Sequence, residues 1–425
     1  MEKRNPTLTA QPTDVNPVEK QLSLIAKDKN DTKNDAHMIP INHGAFGCIF
    51  YPGIQCDGQL ESRHYITKIQ KQTHVTENEQ YISEQIRKHI PNYRGFFAPI
   101  MKQCPVQITK KYVNDIKQCD LFKEETLQTF QKKKYVSNKI RYLGTRTIKS
   151  YLFDIASGKI DPREPRRTVP MGVFFWTALF KTHIRLLDAL RRLLKINIVH
   201  MDIKNGNVMI EPDTYKPILI DFGISIDQSR LVEHNNNKYK TQAFYIYDTY
   251  TTWCFDIFLC NYIVHKANIN RPEDQDKVST KKEIESILRE FQYGSAEKYP
   301  EQTKTRNDIF AVALIHPEKI QSFREQMVAE FAERPWKEIY DQCTQTNYQT
   351  WDNYGIATMY LSMLDMLNYS KRDAFGIIEA VQTAKQTPVL EEYTKIIESI
   401  VYSPTNKRPH IYTVRKQLRK LLHSL

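Results

Sequence analysis

The sequence predicts an α+β protein, with a strand-forming N-terminal portion and a larger, mainly helical remainder. Three observations predict it. Short apolar stretches between Met38 and Tyr51 surround Gly44 and Gly47, and Tyr65-Ile66-Thr67-Lys68-Ile69 has strand character. From Phe174 to Ile196 apolar residues recur at helical spacing, among them Leu179, Ile184, Leu187, Leu190 and Leu194. Beyond Thr251 the chain reads as mostly helical.

The elements follow in order. Met1 to Asp35 is polar and lacks the apolar stretch of a secretory signal, so residues 1–37 are expected to be a disordered leader. Thr76 to His89 suits a helix, with Thr76 as its cap and Glu79 in its first turn. Ile82 and Ile86 lie four apart on one face, and Pro91 ends the pattern. From Gln103 to Lys149 the chain is rich in Lys and Gln with weak periodicity, which suggests inserted chain. Two apolar runs, Val208 to Ile210 and Ile218 to Ile220, flank a turn at Glu211-Pro212-Asp213 and predict a β-hairpin. The cluster Arg163, Arg166 and Arg167 reads as a solvated loop.

Composition excludes some classes. Hydrophobic residues make up 40% of the 425 and charged residues 26%, ordinary values for a soluble globular protein. The longest apolar run, Met171 to Phe180, is about half of the ~18–20 residues a bilayer requires. Seven cysteines are scattered without a C-x-x-C pair, which points to reduced thiols in an intracellular setting rather than disulfides or structural zinc. The net charge of +12 can favour nucleic acid, an anionic membrane or a polyphosphate ligand. Because the charge is spread along the chain, it reads as a solvated basic surface and selects no nucleic-acid partner.

The chemistry concentrates in His200-Met201-Asp202-Ile203-Lys204-Asn205-Gly206-Asn207, followed nineteen residues after Asp202 by Asp221-Phe222-Gly223. Asp202 can orient and deprotonate an attacking hydroxyl. Asn207 and Asp221 offer the hard oxygen ligands that Mg²⁺ prefers. Lys204 can neutralise charge building on a transferred phosphoryl group. The two motifs, in order and joined by a hairpin, resemble the catalytic and metal-binding loops of eukaryotic-type serine/threonine protein kinases. Upstream, Asn42-His43-Gly44-Ala45-Phe46-Gly47 resembles the kinase glycine-rich loop, with Asn42 where the first glycine usually stands. Gly44 and Gly47 would let backbone amides approach phosphates.

The resemblance implies more. Lys68, 21 residues after Gly47, is similar to the lysine that holds the α- and β-phosphates, and its partner should be a helix glutamate. Glu79 is the choice; Glu84 and then Glu77 are the alternatives. Asp256, 35 residues after Asp221, matches an aspartate that in the family anchors the catalytic-loop backbone from a buried helix. Ser403 to Pro409 resembles the closing segment of the kinase C-lobe, with Arg408 as its structural arginine. The implied fold is bilobal: a small β-rich N-lobe over 38–145, a mainly helical C-lobe over 146–425, and ATP with Mg²⁺ or Mn²⁺ between them. Protein serine and threonine hydroxyls would be the substrates.

The chain also departs from the pattern. Met201 replaces the usual arginine before Asp202, which implies activity independent of phosphorylation at Ser225, Ser229 or Thr241. No A-P-E sequence closes the activation segment, and Thr241 to Thr252 is aromatic instead. The 134 residues from Lys68 to Asp202 and the 152 from Asp256 to Arg408 place insertions within roughly 104–135 and 265–395. In this style the chain looks like the kinases of large cytoplasmic DNA viruses, which implies the host cytoplasm or the virion. Three other readings compete: a pseudokinase scaffold, allowed by Asn42, Met201 and the absent A-P-E; a small-molecule kinase of the aminoglycoside type, disfavoured by Lys204 and the complete Asp-Phe-Gly; and a nucleic-acid-binding protein, resting on charge alone.

Overall fold

The computed structural model describes residues 37–44, 47–106, 108–159, 171–233, 237–244, 252–293, 317–369 and 388–425. The expected leader, the Arg163, Arg166 and Arg167 cluster, Ala45 and Phe46 lie outside this set, apart from His37 at the leader's end. The described residues divide into two compact units, one lying within 1–71 and 102–145, the other within 72–101 and 146–425. The expected boundary at 145/146 coincides with one of theirs. The segment 72–101, expected within the smaller lobe, groups with the larger unit.

The smaller unit is built on one antiparallel sheet. Its strands are β1 (Ile39–Gly44), β2 (Gly47–Tyr51), β3 (Tyr65–Lys71), β4 (Lys102–Pro105) and β5 (Tyr135–Arg141), in the order β1-β2-β3-β5-β4. Side chains alternate between sheet faces. Cys48, Phe50 and Ile69 therefore share one face and form a buried cluster with Met38, Ile54, Tyr112, Ile116, Phe122 and Phe130. The last four belong to the connection between β4 and β5, where inserted chain was expected. Its two short helices, Val113–Lys117 and Leu127–Lys132, lie in that connection. Lys68, one residue before Ile69, points to the opposite face.

Four cysteines correct the expectation of reduced thiols. Cys48 is bonded to Cys119 and Cys56 to Cys104, across Cα separations of 6.4 and 5.8 Å. The partners stand 71 and 48 residues apart and meet only through the sheet and its long connection, so no spacing pattern could have signalled them. Cys254, Cys260 and Cys343 are free and buried.

The larger unit is mainly helical. The first helix, His74–His89, is capped by Thr73 rather than Thr76. Thr76 is the third helical residue, and its hydroxyl accepts from the Thr73 N–H at 3.0 Å, the reciprocal half of a capping box. Ile82 and Ile86 enter a core shared with the long helix Met171–Leu194, which is the expected apolar helix shifted by two or three residues. The predicted hairpin forms from β7 (Val208–Ile210) and β8 (Pro217–Leu219), with Met209 opposite Ile218. A second small pair joins β6 (Ile198–Val199) to β9 (Ile226–Asp227). Together these pairs hold the loops 200–207 and 220–225. Among the described residues no helix is long and apolar enough to cross a membrane.

Burial in this core has a pH consequence. His183 is fully enclosed, stacked on Tyr360 at 4.5 Å and hydrogen-bonded to the Tyr393 hydroxyl at 3.1 Å. Burial pushes its imidazole down to about 3. Between that value and the ordinary 6.5, the unfolded chain binds a proton that the folded chain refuses, so the stabilising preference for neutral His183 is lost as pH falls. Urea unfolding at pH 7, 6 and 5 is expected to show His183→Gln gaining on wild type by ~1.4 kcal/mol for each unit below about 6.5. A pH-independent difference would refute it.

Candidate active site

In the larger unit the loop from His200 to Asn207 is fixed from several sides. Asp352, in the first turn of the helix Trp351–Tyr369, accepts from the backbone N–H groups of His200 at 2.6 Å and Met201 at 2.9 Å. Burial drives its carboxyl up to about 6, and the two N–H donors oppose that rise. The Trp253 indole donates to the Met201 carbonyl at 2.8 Å, and the Ser225 hydroxyl donates to the His200 carbonyl at 3.0 Å. Met201 itself is buried at φ 68°, in the left-handed region that bulky residues avoid unless their surroundings hold them. Gly355, one turn beyond Asp352, allows the helix to approach closely: a Cβ there would lie 3.2 Å from Ile203.

These contacts present Asp202 to its neighbours. The Asn207 amide donates to the Asp202 carboxylate at 2.7 Å and to its backbone carbonyl at 3.0 Å. The Lys204 ammonium lies 3.0 Å from the same carboxylate. Burial pushes the Asp202 carboxyl up to about 6; Lys204 pulls it back, while the Asp221 carboxylate adds to the rise. His200 is buried and neutral, its pKa lowered to about 4 by desolvation. It accepts from the Asp202 N–H through Nδ1 at 3.3 Å and donates through Nε2 to the Ile220 carbonyl at 3.1 Å. That second bond ties the catalytic-type loop to the Asp221 loop.

Asp221 also adopts the left-handed region, at φ 64°, and Phe222 is buried against His200 and Phe97 at 4.9 and 6.1 Å between ring centres. The first helix meets this loop directly. The Asn78 amide donates to the carbonyls of Gly223 and Ser225 at 3.1 and 2.8 Å, and the Tyr81 hydroxyl donates to Asp227 at 2.7 Å. Glu79 is buried, and a Cβ on Gly223 would lie 4.0 Å from its Oε2. Glu77 and Glu84, the alternatives, are exposed.

In the smaller unit, Asn42 is exposed on β1, and Gly44 faces Gly47 across the β1–β2 pairing. Lys68 is buried on β3, opposite Ile49 of β2 and Asn138 of β5. Gly47 has no room for a side chain: a Cβ would stand 2.5 Å from the Ile69 carbonyl and 2.7 Å from the Gln70 Cβ. Gly47→Val is expected to cost ~1–3 kcal/mol of stability through this overpacking. A thermal melt unchanged within error would refute it.

The anchor of this loop differs from the expected one. Asp256 does not hold the catalytic-type loop; it pairs with Arg408 at 2.8 Å and accepts from Asn347. The anchor is Asp352, 152 residues beyond His200 and inside the stretch expected to be an insertion. Its available signal was a carboxylate near the start of a largely apolar helix, Trp351-Asp352-Asn353-Tyr354. Ser225 is buried with its hydroxyl engaged, so it does not present an accessible modification site. Asp352→Ala would leave two buried N–H groups without an acceptor, each worth ~1–3 kcal/mol. Urea unfolding should show a loss of ~3–5 kcal/mol, with Asp352→Asn, which keeps one oxygen, falling between. A loss under ~1 kcal/mol would remove Asp352 from this role.

Among the described residues no three His, Cys, Asp or Glu side chains cluster as a metal site. The donor set still suits a nucleotide-bound divalent cation: one carboxylate at Asp221 and the Asn207 amide oxygen, its nitrogen being committed to Asp202. No known protein-family model and no curated protein sequence matches the chain.

Proposed function

We propose that the chain is a protein kinase that transfers the γ-phosphate of ATP to serine or threonine hydroxyls of protein substrates, within a bilobal kinase-like fold. The observation that carries this reading is Asp202: a nearly buried carboxylate held by Asn207 and Lys204 on a loop pinned by Asp352. Such a group can accept the proton of an attacking hydroxyl. Its raised pKa makes it a stronger base than a solvated aspartate while leaving it ionised at neutral pH. Lys204 beside it offers positive charge where a phosphoryl group would be transferred. Asn207 and Asp221 would hold Mg²⁺ or Mn²⁺, which when bound neutralises phosphate charge. Gly44, Gly47 and Lys68 would receive the phosphates.

The competing pseudokinase reading has the same fold without transfer. Incubation with radiolabelled ATP, Mg²⁺ and a generic protein substrate separates the two. Label on serine and threonine, lost in both Lys68→Met and Asp202→Ala, supports the kinase. Unlabelled substrate, or label that survives both changes, rejects it.

A further inference from the structure

The connection between β4 and β5 lies directly on the strand that leaves the glycine turn. Tyr112, Ile116 and Phe122 of the connection share a buried cluster with Cys48 and Phe50 of β2. Asp115 accepts from the Met38 N–H at 2.9 Å, just before β1 begins. Cys48 follows Gly47 immediately, and its bond to Cys119 joins the connection to the second residue of β2. The second bond, Cys56–Cys104, ties the β2–β3 loop to the sheet-edge strand β4. The two bonds differ in access: Cys48 and Cys119 are buried, whereas Cys56 and Cys104 are partly exposed.

We propose that residues 106–134 form a latched clamp on the glycine-turn hairpin, and that Cys48–Cys119 and Cys56–Cys104 are thiol–disulfide exchange sites for a small-thiol couple of the glutathione type. The proposal rests on the kinase reading in one respect, that the hairpin binds nucleotide phosphates. A thiolate attacks one sulfur of the Cys56–Cys104 bond, forming a mixed disulfide and releasing the other cysteine as a thiolate that takes a proton. A second small thiol resolves the mixed disulfide. The protein gains two thiols and two electrons, and the couple leaves as its disulfide. Access dictates the order, with the partly exposed pair opening first and the buried pair only after the connection loosens.

Opening Cys48–Cys119 removes the covalent hold on β2. The apolar contacts and the Asp115 bond remain, so the unit stays folded while the clamp becomes more mobile. The backbone at Gly47 and Cys48 is then less firmly held, and nucleotide affinity should fall by about tenfold, within the usual range of coupling between two sites.

The test uses the full chain purified without reductant and equilibrated in glutathione buffers of graded poise. Thiol labelling with peptide mapping reads each pair. Limited proteolysis reads the mobility of 106–134, and a fluorescent ATP analogue reads nucleotide affinity. Cys56 and Cys104 should label first. Labelling of Cys48 and Cys119 should coincide with new cleavage within 106–134 and about a tenfold loss of affinity. The double variant Cys48→Ala/Cys119→Ala should show the cleavage and nucleotide affinity of the reduced wild type in every buffer, while its Cys56–Cys104 pair still labels according to the poise; reduced wild type supplies the comparison if the variant does not fold. Free labelling of Cys48 and Cys119 in the never-reduced protein would overturn the proposal, as would cleavage that ignores their state. Redox-dependent cleavage in a chain that binds no nucleotide would uphold the clamp and reject the kinase reading.

Discussion

On the proposed kinase reading, Asp202→Asn is expected to abolish phosphoryl transfer, by about 10³-fold or more, while making the protein harder to unfold at neutral pH. The two effects share one cause. Burial raises the Asp202 carboxyl from 3.8 to about 6, so ionising it in the folded chain at pH 7 costs on the order of 3 kcal/mol. Asparagine removes that charge and keeps an oxygen for the Asn207 amide. The sign follows from proton binding: between 3.8 and about 6 the folded chain holds a proton that the unfolded chain has lost. Wild-type stability therefore recovers as pH falls through 6, and the variant's advantage shrinks over that window. Transfer by wild type should fall across the same window, because a protonated base accepts nothing. Melting curves and initial rates from pH 5 to 8 check both. A variant less stable than wild type at pH 7, or one retaining a tenth of its activity, would show that Asp202 is an ordinary structural aspartate.

Local chemistry was legible in the sequence wherever neighbouring residues determine it. The order of His200, Asp202, Lys204 and Asn207, followed by Asp221, specifies which side chains surround one carboxylate, and the structure joins them within a hairpin's reach. The Glu79 helix was legible from Ile82 and Ile86, although the cap moved to Thr73 because a capping box can be read from either threonine. Long-range partners were not. Asp352 reaches the loop from a helix whose position depends on the packing of the whole larger unit, and a spacing argument from Asp221 selected Asp256 instead. The Cys48–Cys119 and Cys56–Cys104 pairs likewise depend on how the β4–β5 connection crosses the sheet, which no local pattern records.

Arg408→Ala is expected to destabilise the chain by ~3–5 kcal/mol, since it strands a buried carboxylate. The Asp256 and Arg408 side chains are 0% and 1% exposed, and the ion pair spans 2.8 Å. Asn347 donates to Asp256, and Arg408 also donates to the Thr350 hydroxyl at 3.0 Å. Removing either charge alone leaves the other without compensation in a medium that cannot solvate it. Removing both is a different experiment. Asp256→Leu with Arg408→Met should recover most of the loss, because a buried ion pair gains little over apolar groups of similar size. A double-mutant cycle read by urea unfolding gives the coupling, and single and double variants of equal stability would refute it. The pair also bears on chemistry: Asp256 follows by three residues the Trp253 whose indole holds the Met201 carbonyl. In the double variant the packing is restored but the directional bonds to Asn347 and Thr350 are not. On the kinase reading, transfer per folded molecule should then stay below wild type, because Trp253, which donates to the Met201 carbonyl, adjoins a helix start whose directional bonds to Asn347 and Thr350 are gone.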